Sequence, residues 1–103
     1  MAPIDFQKMR KELIVLYNKF LEGPENDKTY REIVDYHLEF AGLTAYNERL
    51  KSRPVPKDVE NALHGLSTIY QYGMWEDSHI AFSNEKIIQS AKKILQDLKK
   101  EDK

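Results

Sequence analysis

Glu60 and His64 stand four residues apart, a spacing that puts both side chains on one face of a helix. A carboxylate and an imidazole placed this way are two of the ligands that a divalent metal needs. A zinc site takes three or four, however, and the sequence contains no HExxH run. The pair therefore reads first as a surface Glu–His couple. The chain has no cysteine, which rules out a disulfide framework and a thiolate metal site. The most unusual segment is Tyr70-Gln71-Tyr72-Gly73-Met74-Trp75-Glu76-Asp77-Ser78-His79-Ile80-Ala81-Phe82, which gathers the single Trp with Tyr, Met, Phe and His between two helical patterns. Connections between packed helices are usually short and polar. A long aromatic one is either a packed corner of the core or a surface for a partner, because aromatics and Met are enriched in binding hot spots.

Arg31 and His37 show an Arg-x5-His spacing. It resembles the motif of the helical HEPN ribonucleases, so an RNA-cleaving enzyme or its inactive relative is the enzymatic alternative. On a regular helix six residues turn the two side chains about 120° apart. His37 also falls on an apolar stripe, where a partly buried imidazole finds hydrogen-bond partners. Arg31 and Asp35 are spaced to pair on the helix surface.

The elements that must position these residues are read from apolar periodicity. Phe6, Met9, Leu13, Leu16, Tyr17 and Phe20 form one stripe, predicting a helix over about 6–22, with Asp5 as its cap and Gly23-Pro24 as its stop. Thr29-Tyr30-Arg31-Glu32 fits a capping box and opens a second helix over about 30–52. Its stripe is Tyr30, Ile33, Val34, His37, Leu38, Ala41 and Ala45, with Gly42 as a possible bend and Arg53-Pro54-Val55-Pro56 as the stop. A third helix over about 56–73 carries Val59, Ala62, Leu63, Leu66, Ile69 and Tyr70 and is expected to end at Gly73. A fourth over about 84–100 is capped by Ser83 and carries Ile87, Ile88, Ala91, Ile94, Leu95 and Leu98. Four amphipathic helices with three connections predict an all-α fold, an antiparallel up-down-up-down four-helix bundle spanning residues 1–103 as one domain.

Bulk composition sets the outer limits. Apolar residues are 41% and charged residues 32% of the 103 residues, with a formal net charge of -1. That is an ordinary globular balance, and it lacks the clustered basic surface that nucleic acid requires. Residues 84–103 hold six Lys against four acids, and residues 54–83 hold Lys57 against Asp58, Glu60, Glu76 and Asp77. The last helix is thus mildly basic, and a solvated face is its ordinary reading. No apolar run approaches the roughly 20 residues that span a bilayer, and no secretory h-region follows Met1. The expectation is a soluble, cytoplasmic protein with no cofactor.

Taken in order, several stretches resemble the enterocin A-type immunity family, which protects bacteria against class IIa (pediocin-like) bacteriocins. They are Glu12-Leu13-Ile14-Val15-Leu16-Tyr17-Asn18, then Tyr30-Arg31-Glu32-Ile33 after the polar 23–28 loop. Next come Pro54-Val55-Pro56 leading to Val59-Glu60-Asn61-Ala62-Leu63, and last Ile69-Tyr70-Gln71-Tyr72 passing to Ile80-Ala81-Phe82-Ser83. The resemblance covers about residues 10–98 and lies in element order and scattered positions. It implies a non-enzymatic cytoplasmic protein without a small-molecule substrate. Such a protein would act on the membrane subunits of the mannose phosphotransferase system when bacteriocin is bound to them, with peripheral membrane association. It also implies that specificity lies in the C-terminal half, which points to Tyr72, Met74, Trp75, His79, Lys92, Lys93 and Lys99. A regulatory adaptor for an unrelated protein is the third reading.

Overall fold

A computed structural model describes residues 4–22, 27–75 and 82–102. The fold is all-helical, and no strand occurs among the described residues. The elements are α1 (Phe6–Glu22), α2 (Asp27–Tyr36), a π-helical segment (His37–Ala41), α3 (Leu43–Arg49), α4 (Lys57–Trp75) and α5 (Glu85–Glu101).

The apolar stripes become the core. From α1, Met9, Leu13, Leu16, Tyr17 and Phe20 are buried. They meet Val59, Ala62, Leu63, Leu66 and Ile69 of α4 and Ile87, Ala91, Leu95 and Leu98 of α5. Each fully buried Leu or Ile adds about 1.5–3 kcal/mol from removal of apolar surface from water. Phe82 packs its ring on Phe20, with centroids 4.9 Å apart.

Polar contacts fix which helix ends meet. Arg10, early in α1, grips Asp58 at the start of α4 through Nε at 2.6 Å and Nη2 at 2.9 Å. Gln7 accepts from Arg10 Nη1 at 2.6 Å and donates Nε2 to Asp102 Oδ1 at 2.7 Å, beyond the end of α5. The start of α1, the start of α4 and the end of α5 therefore share one end of the molecule. The arm formed by α2, the π segment and α3 runs against α4. Tyr30 Oη donates to Tyr70 O at 3.0 Å, Ser67 meets His37, and Tyr46 Oη reaches Glu60 Oε2 at 3.4 Å.

This arm departs most from the sequence expectation. The helix expected over 30–52 begins by Asp27, and Thr29 is a buried residue within its first turn rather than its cap. It widens to π geometry over His37–Ala41, where Gly42 N–H donates to His37 O at 2.6 Å. At Gly42 (φ -60°, ψ 145°) the chain leaves the helix altogether and restarts at Leu43. Those angles suit any residue, and an added Cβ would meet only ordinary contacts near 3.6 Å. The break therefore does not depend on glycine's freedom. It is braced instead by Arg49, whose guanidinium lies 4.7 Å over the Phe40 ring and 3.6 Å from Glu39 Oε1. Arg31 and Asp35, spaced to pair, form no ion pair.

Two other boundaries shift. The cap of α5 is Asn84, whose Oδ1 accepts from Lys86 N at 3.0 Å and Ile87 N at 3.2 Å, and not Ser83. Gly73 does not end α4, which continues to Trp75. The glycine serves a close approach, because a Cβ there would run into the Tyr30 ring. α1 ends at Glu22, and Gly23-Pro24 lie outside the described residues.

Candidate functional site

The π segment, α3 and the C-terminal half of α4 border an open hollow of about 740 Å³. Sequence periodicity builds its α4 wall. Ile69 turns into the core, leaving Ser67, Tyr70, Gln71 and Met74 on the neighbouring face. The other wall is the break in the second arm. The π turn changes the phase of the helix, so that His37 and Ala41 line the hollow together with Tyr46 of α3.

His37 lies at the bottom, only 8% exposed. Its ring stacks on Tyr70, with centroids 4.6 Å apart and planes 24° from parallel. Ser67 Oγ lies 3.2 Å from His37 Nδ1 and 3.4 Å from Leu63 O. The hydroxyl either donates to Leu63 O and accepts from Nδ1–H, or donates to Nδ1, according to the ring's tautomer. Nε2 has no hydrogen-bond partner among the described residues, and it is not sealed from solvent. His37 is among the residues that line the hollow.

Burial lowers the His37 pKa from its ordinary value, because a desolvated imidazolium is disfavoured. The unfolded chain then binds more protons than the folded one below about pH 6.5. Stability is fully present above that pH and falls as the pH drops through the lowered folded value. Urea midpoints at pH 7.5 and 5.5 are expected to show a decline that is smaller in His37→Gln. An equal decline in the variant would remove His37 from this role.

The hollow has no acidic lining. Its charged or chargeable groups are His37, Lys51 and His64, with Tyr46 beside His64 at 6.4 Å between ring centroids. Burial and the nearby Glu60 carboxylate raise the Tyr46 pKa. Glu60 itself is engaged by Tyr46 and by Lys57 at 3.6 Å. Among the described residues no three His, Asp or Glu side chains come close enough to hold a metal ion. Arg31 is exposed whereas His37 is buried against α4, so the Arg-x5-His spacing does not place both on one open surface.

The residues expected to recognise a partner are only partly brought together. Tyr72 and Met74 lie on the last turns of α4, 42% and 54% exposed, and Met74 also lines the hollow. Trp75 closes α4, but its side chain lies outside the described residues, as does His79. Lys92, Lys93 and Lys99 are exposed on α5. Lys99 stands beside Lys100, which lines a different hollow with Arg10 and Asp58. That is the end of the molecule remote from Met74, about 24 Å away counted from Asp58 along α4 at 1.5 Å per residue.

Sequence reading missed Tyr46, Ser67, Gln71 and Lys51 as neighbours of one cavity. The one available signal was Gly42, read as a possible bend of the second helix. No match was found between this chain and any family model, curated protein or solved structure.

Proposed function

We propose that this chain is a bacteriocin immunity protein that works by binding, with the exposed apolar end of α4 as its recognition surface. The observation that carries this reading is the exposure of Tyr72 and Met74 on a helix whose other large aliphatic residues are buried. Apolar side chains left in solvent at one end of a core helix are the kind that a partner covers. They fall in the C-terminal half, where the resemblance to the enterocin A-type family puts specificity. This reading takes the fold as an up-down-up-down four-helix bundle in which α2, the π segment and α3 together count as one bent arm, and the meeting of the starts of α1 and α4 with the end of α5 supports it.

In this reading the protein acts from the cytoplasm and is not an enzyme. It engages the membrane subunits of the mannose phosphotransferase system in complex with a class IIa bacteriocin. Its association with the membrane is taken to be peripheral in this reading; no helix among the described residues is long and apolar enough to cross a membrane.

The test is a protection assay in a bacteriocin-sensitive Gram-positive strain against a panel of class IIa bacteriocins. Selective survival against one or a few is expected. Tyr72→Ala combined with Met74→Ala should lower protection by about tenfold or more, the loss expected of hot-spot side chains, with helicity and melting temperature unchanged. No protection by folded, expressed wild-type protein would overturn the function. Full protection by the double variant would overturn the surface.

A further inference from the structure

Another open groove, of about 380 Å³, runs between α1 and α2. It shares no residue with the hollow beside the π segment or with the Tyr72–Met74 end. The two helices flank it antiparallel. Tyr36 Oη reaches Glu12 Oε1 at 3.3 Å, and seven residues further along α1 Lys19 Nζ meets Glu32 Oε2 at 2.9 Å. That stretch is about 10 Å long at 1.5 Å per residue, close to two turns of a helix. Val15 and Tyr36 give the groove an apolar surface. Val15 is 51% exposed, the one large apolar side chain that α1 leaves in solvent.

The charged groups that line the groove all have one sign. They are Glu12, Glu32, Asp35 and Glu39, and no Lys or Arg lines it with them. Glu12 and Asp35 form no ion pair among the described residues. Glu32 and Glu39 pair with Lys19 and Arg49 at 2.9 and 3.6 Å, between partly exposed side chains. Pairs of that kind are worth little and exchange readily for the cations of a partner. The whole chain has a formal net charge of only -1, so this concentration of carboxylates is local. A cleft lined by one sign of charge focuses the field and draws in the opposite sign.

We propose that this groove docks a basic amphipathic helix of a partner protein. An apolar side chain of that helix covers Val15 and lies against the Tyr36 ring. Lys or Arg residues beside it reach Glu12, Asp35 and Glu39. Long basic side chains suit the task, because their stems pack on apolar surface while their charged heads reach outward. A helix laid in a groove is read through anchors at i, i+3, i+4 and i+7, and two turns of groove match that span. A small polyamine would supply the charge without the apolar anchor, and the carboxylates repel an anionic lipid surface. Docking here is independent of the immunity reading, which rests on Tyr72 and Met74.

The probe is a terminally blocked peptide of about 14 residues, long enough to form a helix, made of Leu and Lys with Leu at i, i+3, i+4 and i+7. It is titrated into the full chain at pH 7.5 and followed by NMR of the backbone amides and the Val15 methyls. Saturable shifts along residues 12–19 and 32–39 are expected. The same peptide with Glu in place of Lys should bind at least about tenfold more weakly. Glu12→Gln combined with Asp35→Asn should weaken the Lys peptide by about fivefold or more, and Val15→Ser should weaken it severalfold. All three positions are exposed, so the melting temperature should hold. Glu22→Gln combined with Glu48→Gln changes the net charge equally at exposed positions outside the groove and should leave the affinity unchanged. Equal affinity for the Glu peptide, equal losses in the two double variants, shifts mapping to Tyr72 and Met74 instead, or no saturation would each overturn the proposal. Spermine binding as tightly as the Lys peptide would also overturn it, by reassigning the groove to a small polycation.

Discussion

Replacing Asp58 by Ala is expected to cost about 3–5 kcal/mol of folding stability, the usual penalty for removing one partner of a buried ion pair. Side chains of Arg10 and Asp58 are only 11% and 7% exposed. Their contact is two-pronged, through Nε and Nη2, the geometry in which guanidinium and carboxylate bind most specifically. The hydrogen bond to Asp58 is the main cause that raises the Arg10 pKa; a guanidinium stays charged without it, so the substitution leaves Arg10 only the weaker influence of Glu101 and Asp102. Asp58 also lies in the first turn of α4, where a negative charge is favoured by the helix dipole. Against a total stability of about 5–15 kcal/mol for a domain, the loss is large. Urea unfolding measures it directly. The combined Arg10→Met and Asp58→Leu variant should lose much less than Asp58→Ala, because it leaves no unpaired charge. If Asp58→Ala costs under about 1 kcal/mol, like an exposed pair, the bridge is not the anchor of this end.

The second large effect lies in the middle of α4. In a solvent-exposed helix Gly→Ala stabilises by up to about 1 kcal/mol. At Gly65 the sign should reverse, to a net loss of about 1–3 kcal/mol from overpacking. The new Cβ would overlap the Tyr17 hydroxyl and lie 2.8 Å from Ile94 Cδ1. The tip of Ile94 can swing aside, but Tyr17 cannot. It is fully buried, its Oη donates to Ala62 O at 2.6 Å, and burial raises its pKa well above the usual phenol range. The next Tyr17 atom, Cζ, would stand at 3.5 Å, an ordinary contact. Deleting the hydroxyl therefore removes the clash. Tyr17→Phe alone should cost about 1 kcal/mol for the lost hydrogen bond. The double variant should then be more stable than the sum of the single effects predicts. Strict additivity would show that the hydroxyl is not what excludes a Cβ.

The regular parts of this fold were legible because burial of one face imposes a period that survives in the residue order. Met9, Leu13, Leu16, Tyr17 and Phe20 in α1, and Ile87, Ala91, Leu95 and Leu98 in α5, occupy the core as their spacing predicts. The second arm was not legible. A π turn is a change in which carbonyl each N–H selects, and it leaves no residue type behind as a marker. Thr29 and Ser83 are good caps by chemistry, yet the cap is whichever residue enters the helix at the right backbone angles. At α5 that is Asn84. Gly73 showed the same ambiguity, since a stop and a close approach to Tyr30 both call for a missing side chain.

The candidate site was half legible. Composition drew attention to Tyr72 and Met74, and both are exposed. The cavity beside them joins residues from 37 to 74, and no local pattern announces a pairing set by tertiary register. The six-residue spacing of Arg31 and His37 is a pattern in sequence that the fold divides, leaving Arg31 exposed and His37 buried beside Tyr70.

The chain of contacts from Asp102 through Gln7 and Arg10 to Asp58 also has a practical meaning for handling the molecule. It gathers the outer ends of α1 and α5 about 24 Å from Met74, counting 1.5 Å for each of the residues between Asp58 and Met74 along α4. Polypeptide joined before Gln7 or after Asp102 leaves from that far pole. An affinity handle, a fluorophore or a tether to a sensor chip fixed there leaves the Tyr72–Met74 end facing outward. The molecule comes with a natural back to hold it by.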